Sequence, residues 1–200
     1  MTKDCPRSLA DPSERKRREE MLTQKHIAPL EEFRVNLQKR GFKGIPHFDP
    51  CDGGVNAKIL FLFEKPGPMT AQKTGSDFIS RNNDDLTAKA TFDKMEEAKI
   101  QRKLTCIWNV IPGWNNTIKI EKKELQDGVD NLKGLLDMLP ACKVIVLVGK
   151  KAQRAEKLLE SLGRYHIIKS AHPSPRVRAR FRPQWEQIGK EWEKVHNYLK

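Results

Sequence analysis

The sequence predicts an α/β fold with three α/β/α layers around a central, mostly parallel, four-stranded sheet. Two observations predict it. Four short apolar runs recur: "AKILFLF" (57–63), "TCIWNVI" (105–111), "KVIVLVG" (143–149) and "YHIIKS" (165–170). Continuous runs of this length suit strands covered on both faces. Stretches that read as helical separate them, at about 84–103, 121–139 and 150–162. Strands alternating with helices imply parallel pairing through helical crossovers.

Each element has its own local signal. Residues 1–20 are polar, with "RKRREE" in the middle, and are expected to form a basic, flexible tail that gives way to a helix. Residues 21–200 are expected to form one domain. Residues 19–40 read as helical on either side of Pro29, with Met21, Leu22, Ile27, Leu30, Phe33 and Leu37 as apolar positions. "GFKGIPHFDPCDGG" is rich in Gly and Pro and reads as loop. Gly163 ends the helix over 150–162 as a helix stop should. A last helix, about 183–199, carries Trp185, Ile188, Trp192, Val195 and Leu199 at helical spacing.

Composition narrows the function classes. Lys and Arg number 38 against 26 Asp and Glu, a net charge of +12, which favours a polyanionic partner: DNA, RNA or an anionic membrane surface. The chain lacks an apolar run long enough for a transmembrane helix, and its first residues lack the apolar core of a secretory signal. Cys5, Cys51, Cys106 and Cys142 are scattered, without a CxxC pair. That spacing fits a reduced, intracellular protein and argues against a metal or cluster site.

In open parallel sheets, ligands bind outside the carboxyl ends of the strands. Three segments there carry polar chemistry. "FLFEKPGPM" puts Glu64 at the end of the first strand, before a sharp turn at Pro66, Gly67 and Pro68. "CIWNVIPGWNN" puts Asn109 at the end of the second, an amide with one acceptor and two donors that match the adjacent O4 and N3–H of uracil. "AHPSPR" puts His172 after the fourth. Pro173 and Pro175 stiffen the loop beyond it, and Ser174 offers a hydroxyl to a phosphate. Arg176, Arg178, Arg180 and Arg182 then fall within seven residues, a positive edge suited to a phosphate backbone. Taken singly, the strand-end segments read more readily as ordinary turns and a structural histidine, whereas the arginine run reads less readily as a merely solvated charge run. His26, His47, His166 and His196 read as structural or exposed.

Together, "FEKPGP", "IWNVIPGWN" and "AHPSPR" on alternating strands and helices resemble the uracil-DNA glycosylase superfamily, over roughly residues 50–182. The resemblance is to members with a G-E-x-P-G-type first motif. It implies a uracil-DNA glycosylase-like fold and a monofunctional enzyme of base excision repair. Such an enzyme flips uracil, or a related deaminated base, out of DNA and hydrolyses its N-glycosidic bond to leave an abasic site. It implies roles as well. Phe78, in "GSDFISRNN", would stack on the flipped base, Asn109 would read its edge, and His172 would donate a hydrogen bond to the departing pyrimidine. Pro66, Gly67, Ser174 and Pro175 would pinch the DNA backbone. Val177, or a flanking arginine among Arg176, Arg178 and Arg180, would fill the gap left by the base.

Two departures from the family pattern bear on chemistry. Lys65 stands where other members carry a water-positioning Asp or Asn, which leaves Glu64 as the acid–base group of the motif. Phe63 replaces the Gly that usually opens it. The close N-terminal cysteine pair of the iron–sulfur subgroup is absent, so no cluster or other cofactor is expected. The chain is expected to act as a monomer in the cytoplasm, nucleoid-associated if bacterial. Two other readings stay open: a non-catalytic DNA-binding module on the same fold, and a small-molecule enzyme using the same crevice.

Overall fold

The computed structural model describes residues 4–72 and 74–199. Its elements are α1 (Pro12–Glu20), α2 (Ala28–Lys39), β1 (His47–Phe48), β2 (Ile59–Phe63), β3 (Phe78–Ile79), α3 (Leu86–Glu97), β4 (Thr105–Asn109), α4 (Lys122–Asp137), β5 (Val144–Val148), α5 (Glu156–Ser161), β6 (His166–Ser170), α6 (Pro175–Arg180) and α7 (Arg182–Glu193). The main sheet has the order β4-β2-β5-β6, and every pair in it is parallel. β2, β4 and β5 are buried along their whole length, as their unbroken apolar runs require. β6 is the edge strand and alternates between buried and open positions. The expected α/β class and four-stranded sheet are both present. No helix among the described residues is long and apolar enough to cross a membrane.

Strand order sets where a crevice opens. After β2 the chain crosses to β4 on one side; after β5 it crosses to β6 on the other. The loops leaving β2 and β5 therefore diverge, and a gap forms at their carboxyl ends. The strands end nearly level, with Phe63 opposite Asn109 and Val148 opposite Ser170.

Several elements differ from the sequence expectations. β1, in a segment read as loop, and β3, in a segment given no element, form a separate two-stranded parallel ribbon. Two-residue strands carry no periodic signal, and this ribbon is held by packing: Phe48 stacks on Trp108 with ring centroids 4.1 Å apart. Residues 21–27 are turns, and α2 starts at Ala28 with Pro29 in its first turn, where proline fits. α3 stops at Glu97 rather than near 103. Lys99 adopts a φ of +53°, which turns the chain so that Ile100 enters the core. The arginine-rich segment expected to be a stiff loop is the helix α6.

The largest difference is at the N-terminus. The expected flexible tail is structured from Asp4 onward. Asp11 caps α1 by accepting from the Ser13 N–H at 2.8 Å, and Pro12 occupies its first turn. Arg18 is only 2% exposed. Its guanidinium donates to the carboxylates of Glu14 and Asp49, to Ser80 Oγ and, at 3.0 Å, to Asn82 Oδ1. Asp4 pairs with Arg81 and, at 2.7 Å, with Arg102. Apolar periodicity could not reveal this segment, because it docks through ion pairs.

Breaking a buried ion pair from one side strands the other charge, at a cost near 3 kcal/mol. Arg18→Met is therefore expected to lower the unfolding free energy by about 3 kcal/mol. Urea denaturation would show a lower midpoint at unchanged slope. An unchanged midpoint would mean that α1 adds nothing to the fold.

Candidate active site at the carboxyl ends of the strands

Glu64, Asn109 and His172 come from three strands and meet at the gap between the diverging loops. Hydrogen bonds beyond the strand ends lock the first two segments together: Val110 N–H donates to Phe63 O at 2.9 Å and Ile111 N–H to Glu64 O at 3.0 Å. The His172 turn is tightened by the Ser174 N–H, which donates to His172 O at 2.8 Å. It is anchored from below by Trp192, whose indole N–H donates to Ser170 Oγ at 2.8 Å. Gly149, just past β5, has a φ of +89° that favours glycine. A Cβ there would lie 2.8 Å from Glu64 Oε1 and 3.2 Å from His172 Cβ. Gly149 thus marks the point where the Glu64 carboxylate and His172 converge.

A cavity of about 420 Å³ opens above these strand ends. Phe63, Lys65, Pro66, Gly67, Asn109 and His172 line it together with Ile79, Arg81, Asn83 and Asp85. Phe63 meets the His172 ring edge-on, with centroids 5.6 Å apart at 89°. Burial holds the His172 pKa below its ordinary 6.5, against the raising pull of the Glu64 and Asp85 charges. The imidazole is therefore neutral near pH 7 and keeps one N–H to donate. Asn109 is 4% exposed, and among the described residues its side-chain amide has no hydrogen-bond partner. An amide that lines a cavity without a partner is set up for a ligand that supplies one.

The other expected site residues are distributed differently. Lys65 lines the cavity, but its ammonium is occupied: it pairs with Glu124 at 2.7 Å and donates to Lys119 O at 3.1 Å. Phe78 does not reach the cavity. It is fully buried against His47, with centroids 5.5 Å apart, and its carbonyl accepts from Asn83 Nδ2 at 2.9 Å. The expected stacking role for Phe78 is thus not placed at the pocket; Phe63 supplies the aromatic surface there. Glu64 lies beside His172 without lining the cavity wall.

Beyond His172, Ser174 spends its Oγ on capping α6, accepting from the Val177 N–H at 3.4 Å. Pro175 opens the helix, as its fixed φ favours. Arg176, Arg178 and Arg180 are exposed on it, and Val177 is half-buried. The Arg178 guanidinium lies 5.7 Å above the Trp185 ring, which steadies the helix on α7.

Asp85, Arg81 and Ile79 carry no functional signal in the sequence. Asp85 caps α3, with Oδ1 accepting from the N–H groups of Thr87 and Ala88, both at 2.8 Å. An Asp before a helical run is a legible cap signal, but nothing in the chain says which cavity that cap faces. Arg81 is held by Asp4, by Glu96 at 3.3 Å and by the Phe92 ring, while its buried Nε lacks a partner among the described residues. A larger, more open groove of about 890 Å³ is lined by residues 40–43 after α2, by the loop after β4 and by α4, but none of the strand-end residues Glu64, Asn109 or His172 lines it. Among the described residues, no group of three His, Cys, Asp or Glu side chains is placed to hold a metal ion.

Comparison with known proteins agrees with the architecture. A structure search finds the solution structure of a protein named as a candidate uracil DNA glycosylase from Methanosarcina acetivorans. It is 18% identical, covers 70% of this chain and 92% of that one, and superposes with a TM-score of 0.50, a likeness of fold. No curated protein matches. The family model for the uracil DNA glycosylase superfamily matches residues 50–196, a span holding every strand of the main sheet and every residue discussed at its carboxyl ends. The chain belongs to the uracil DNA glycosylase superfamily.

Proposed function

We propose that the chain is a monofunctional DNA glycosylase that hydrolyses the N-glycosidic bond of uracil, or of a related deaminated base, during base excision repair. The observation that carries this reading is the unpaired Asn109 amide sharing a cavity wall with a neutral His172. Asn109 supplies one donor and one acceptor to a base edge. His172 supplies a preorganised N–H where negative charge develops on the departing base. One such donor in a dry site contributes about 3–4 kcal/mol to the barrier.

DNA binding is assigned to the exposed Arg176, Arg178 and Arg180 of α6, which begins at Pro175, shortly after the cavity-lining His172. Pro66 and Gly67 border the cavity and Pro175 is exposed beside it, so these three are suited to backbone contact. Each neutralised phosphate steepens the salt dependence by ~0.9 in log–log slope. Replacing all three arginines with alanine should flatten that slope by up to about 2.7 and weaken binding at every sequence alike. A slope that does not change would remove α6 from the interface.

The catalytic reading is tested by single-turnover assays on oligonucleotides carrying one uracil, as single strand, U·G and U·A, with hypoxanthine in parallel. His172→Ala is expected to slow abasic-site formation by at least about 100-fold, and Asn109→Ala to lower both rate and base discrimination. DNA binding by the unmodified chain without abasic product would instead favour a non-catalytic DNA-binding module.

The depressed His172 pKa has its own consequence. On acidification the unfolded chain takes up the His172 proton first, near its ordinary 6.5. The folded state resists protonation until a lower pH. The stability associated with neutral His172 is present above pH 6.5 and is lost as pH falls toward the folded pKa. His172→Gln should flatten the unfolding free energy against pH just below that value. An NMR titration of the His172 ring at or above 6.5 would contradict the buried, neutral assignment.

A further inference from the structure

Lys65 leaves the first motif without a water-positioning group. Its ammonium is turned into the Glu124 pair, so it offers no acceptor to a water molecule. Glu64 is packed against Gly149 and His172 and does not line the cavity. Of the two carboxylates whose charge bears on His172, Asp85 alone stands on the cavity wall. Phe63, Asn109 and His172 line the same cavity.

Asp85 is also the more rigid of the two. Two backbone N–H groups hold Oδ1, and Oδ2 has no hydrogen-bond partner among the described residues. Its backbone is fixed as well, since Asp85 N–H donates to Asn83 O at 2.9 Å. A carboxylate oriented through one oxygen and open at the other can accept a proton from a water molecule in the cavity.

We infer that Asp85, from outside the first motif, positions the attacking water and takes its proton. The inference rests on the glycosylase reading. In the step, the C1′–N bond breaks and its electron pair leaves on the base, where the His172 N–H receives the charge. The water oxygen bonds to C1′, and one of its protons passes to Asp85 Oδ2. On release the base anion is protonated from solvent, and Asp85 returns its proton there. Lys65 then serves as a tie between the first motif and α4.

The cap and the catalytic role are separable, because Asn and Ser cap helices about as well as Asp. Asp85→Ser keeps the cap but is too short to reach the water; Asp85→Asn keeps the cap and the reach but not the basicity. Single-turnover rates, melting temperatures and DNA affinities would be measured on the full chain for both variants and for Glu64→Gln. Asp85→Ser should lose about 100-fold in rate and Asp85→Asn at least about tenfold. Melting temperature and DNA affinity should stay near those of the unmodified protein. An active unmodified enzyme with Asp85→Ser within twofold of it overturns the role of Asp85 alone. An unmodified protein that binds DNA but releases no base overturns the glycosylase reading, and this assignment with it.

Discussion

The buried carboxylate of Asp49 is the point from which much of the pocket wall is positioned. It lies between two guanidiniums, Arg18 from α1 and Arg102 from the turn before β4, and also accepts from Ser80 Oγ. Burial alone would raise its pKa. The fields of Arg102 and Arg18 outweigh that penalty and hold it below the ordinary carboxylate range. Asp52, which shares Arg102 at 2.8 Å, sits differently. Burial dominates there, the neighbouring Asp49 charge adds to it, and its pKa is pushed up to about 6. Such a cluster is costly to desolvate and stays folded only if its partners are all supplied.

Those partners come from three parts of the chain, which is why the cluster matters for the site. Ser80 and Asn82 are drawn to Asp49, Arg18 and Arg102. Leu9 N–H reaches Asn82 O at 3.1 Å, and Asp4 reaches Arg81. The segment from Ser80 to Asp85 is therefore fixed from behind by the N-terminal strap, and its other side faces the cavity. The strap touches no residue given a chemical role, yet it sets where Asp85 and Arg81 stand. Losses at Arg18 would then reach the pocket through the position of this wall.

Much of the sheet was legible because its physics is local. Five-residue runs such as Val144–Val148 suit buried strands, and the carboxyl-end rule made Asn109 and His172 candidates before any geometry was known. What was illegible depended on direction or on charge pairing. Phe78 and Phe63 are both aromatic residues near the first motif, and only the pairing of β3 with β1 turns Phe78 away from the cavity. Lys65 looked like an intrusion into the pocket because its partner, Glu124, lies on a helix far along the chain. α1 has no apolar stripe, so nothing in its pattern distinguished a docked helix from a solvated tail. Asp85 carried no signal of its place in the cavity, because that place depends on the crossover between β2 and β4.

Under the proposed function, the charges around the cavity suit one kind of bond cleavage. When an N-glycosidic bond breaks by departure of the base, positive charge grows on the sugar and negative charge on the base. A free ammonium beside the sugar would oppose the first. The Lys65–Glu124 pair removes that ammonium from the reaction's field. The Glu64 and Asp85 charges both act on a neutral His172. Under the proposed function, a carboxylate on the cavity wall and a neutral donor lining the same cavity suit that separation of charge. A protonated His172 would attract both carboxylates and weaken that separation, so the burial that keeps the ring neutral is part of the same arrangement. Under the proposed function, the lysine that departs from the family's first motif is compatible with its chemistry because the fold has already matched its charge elsewhere.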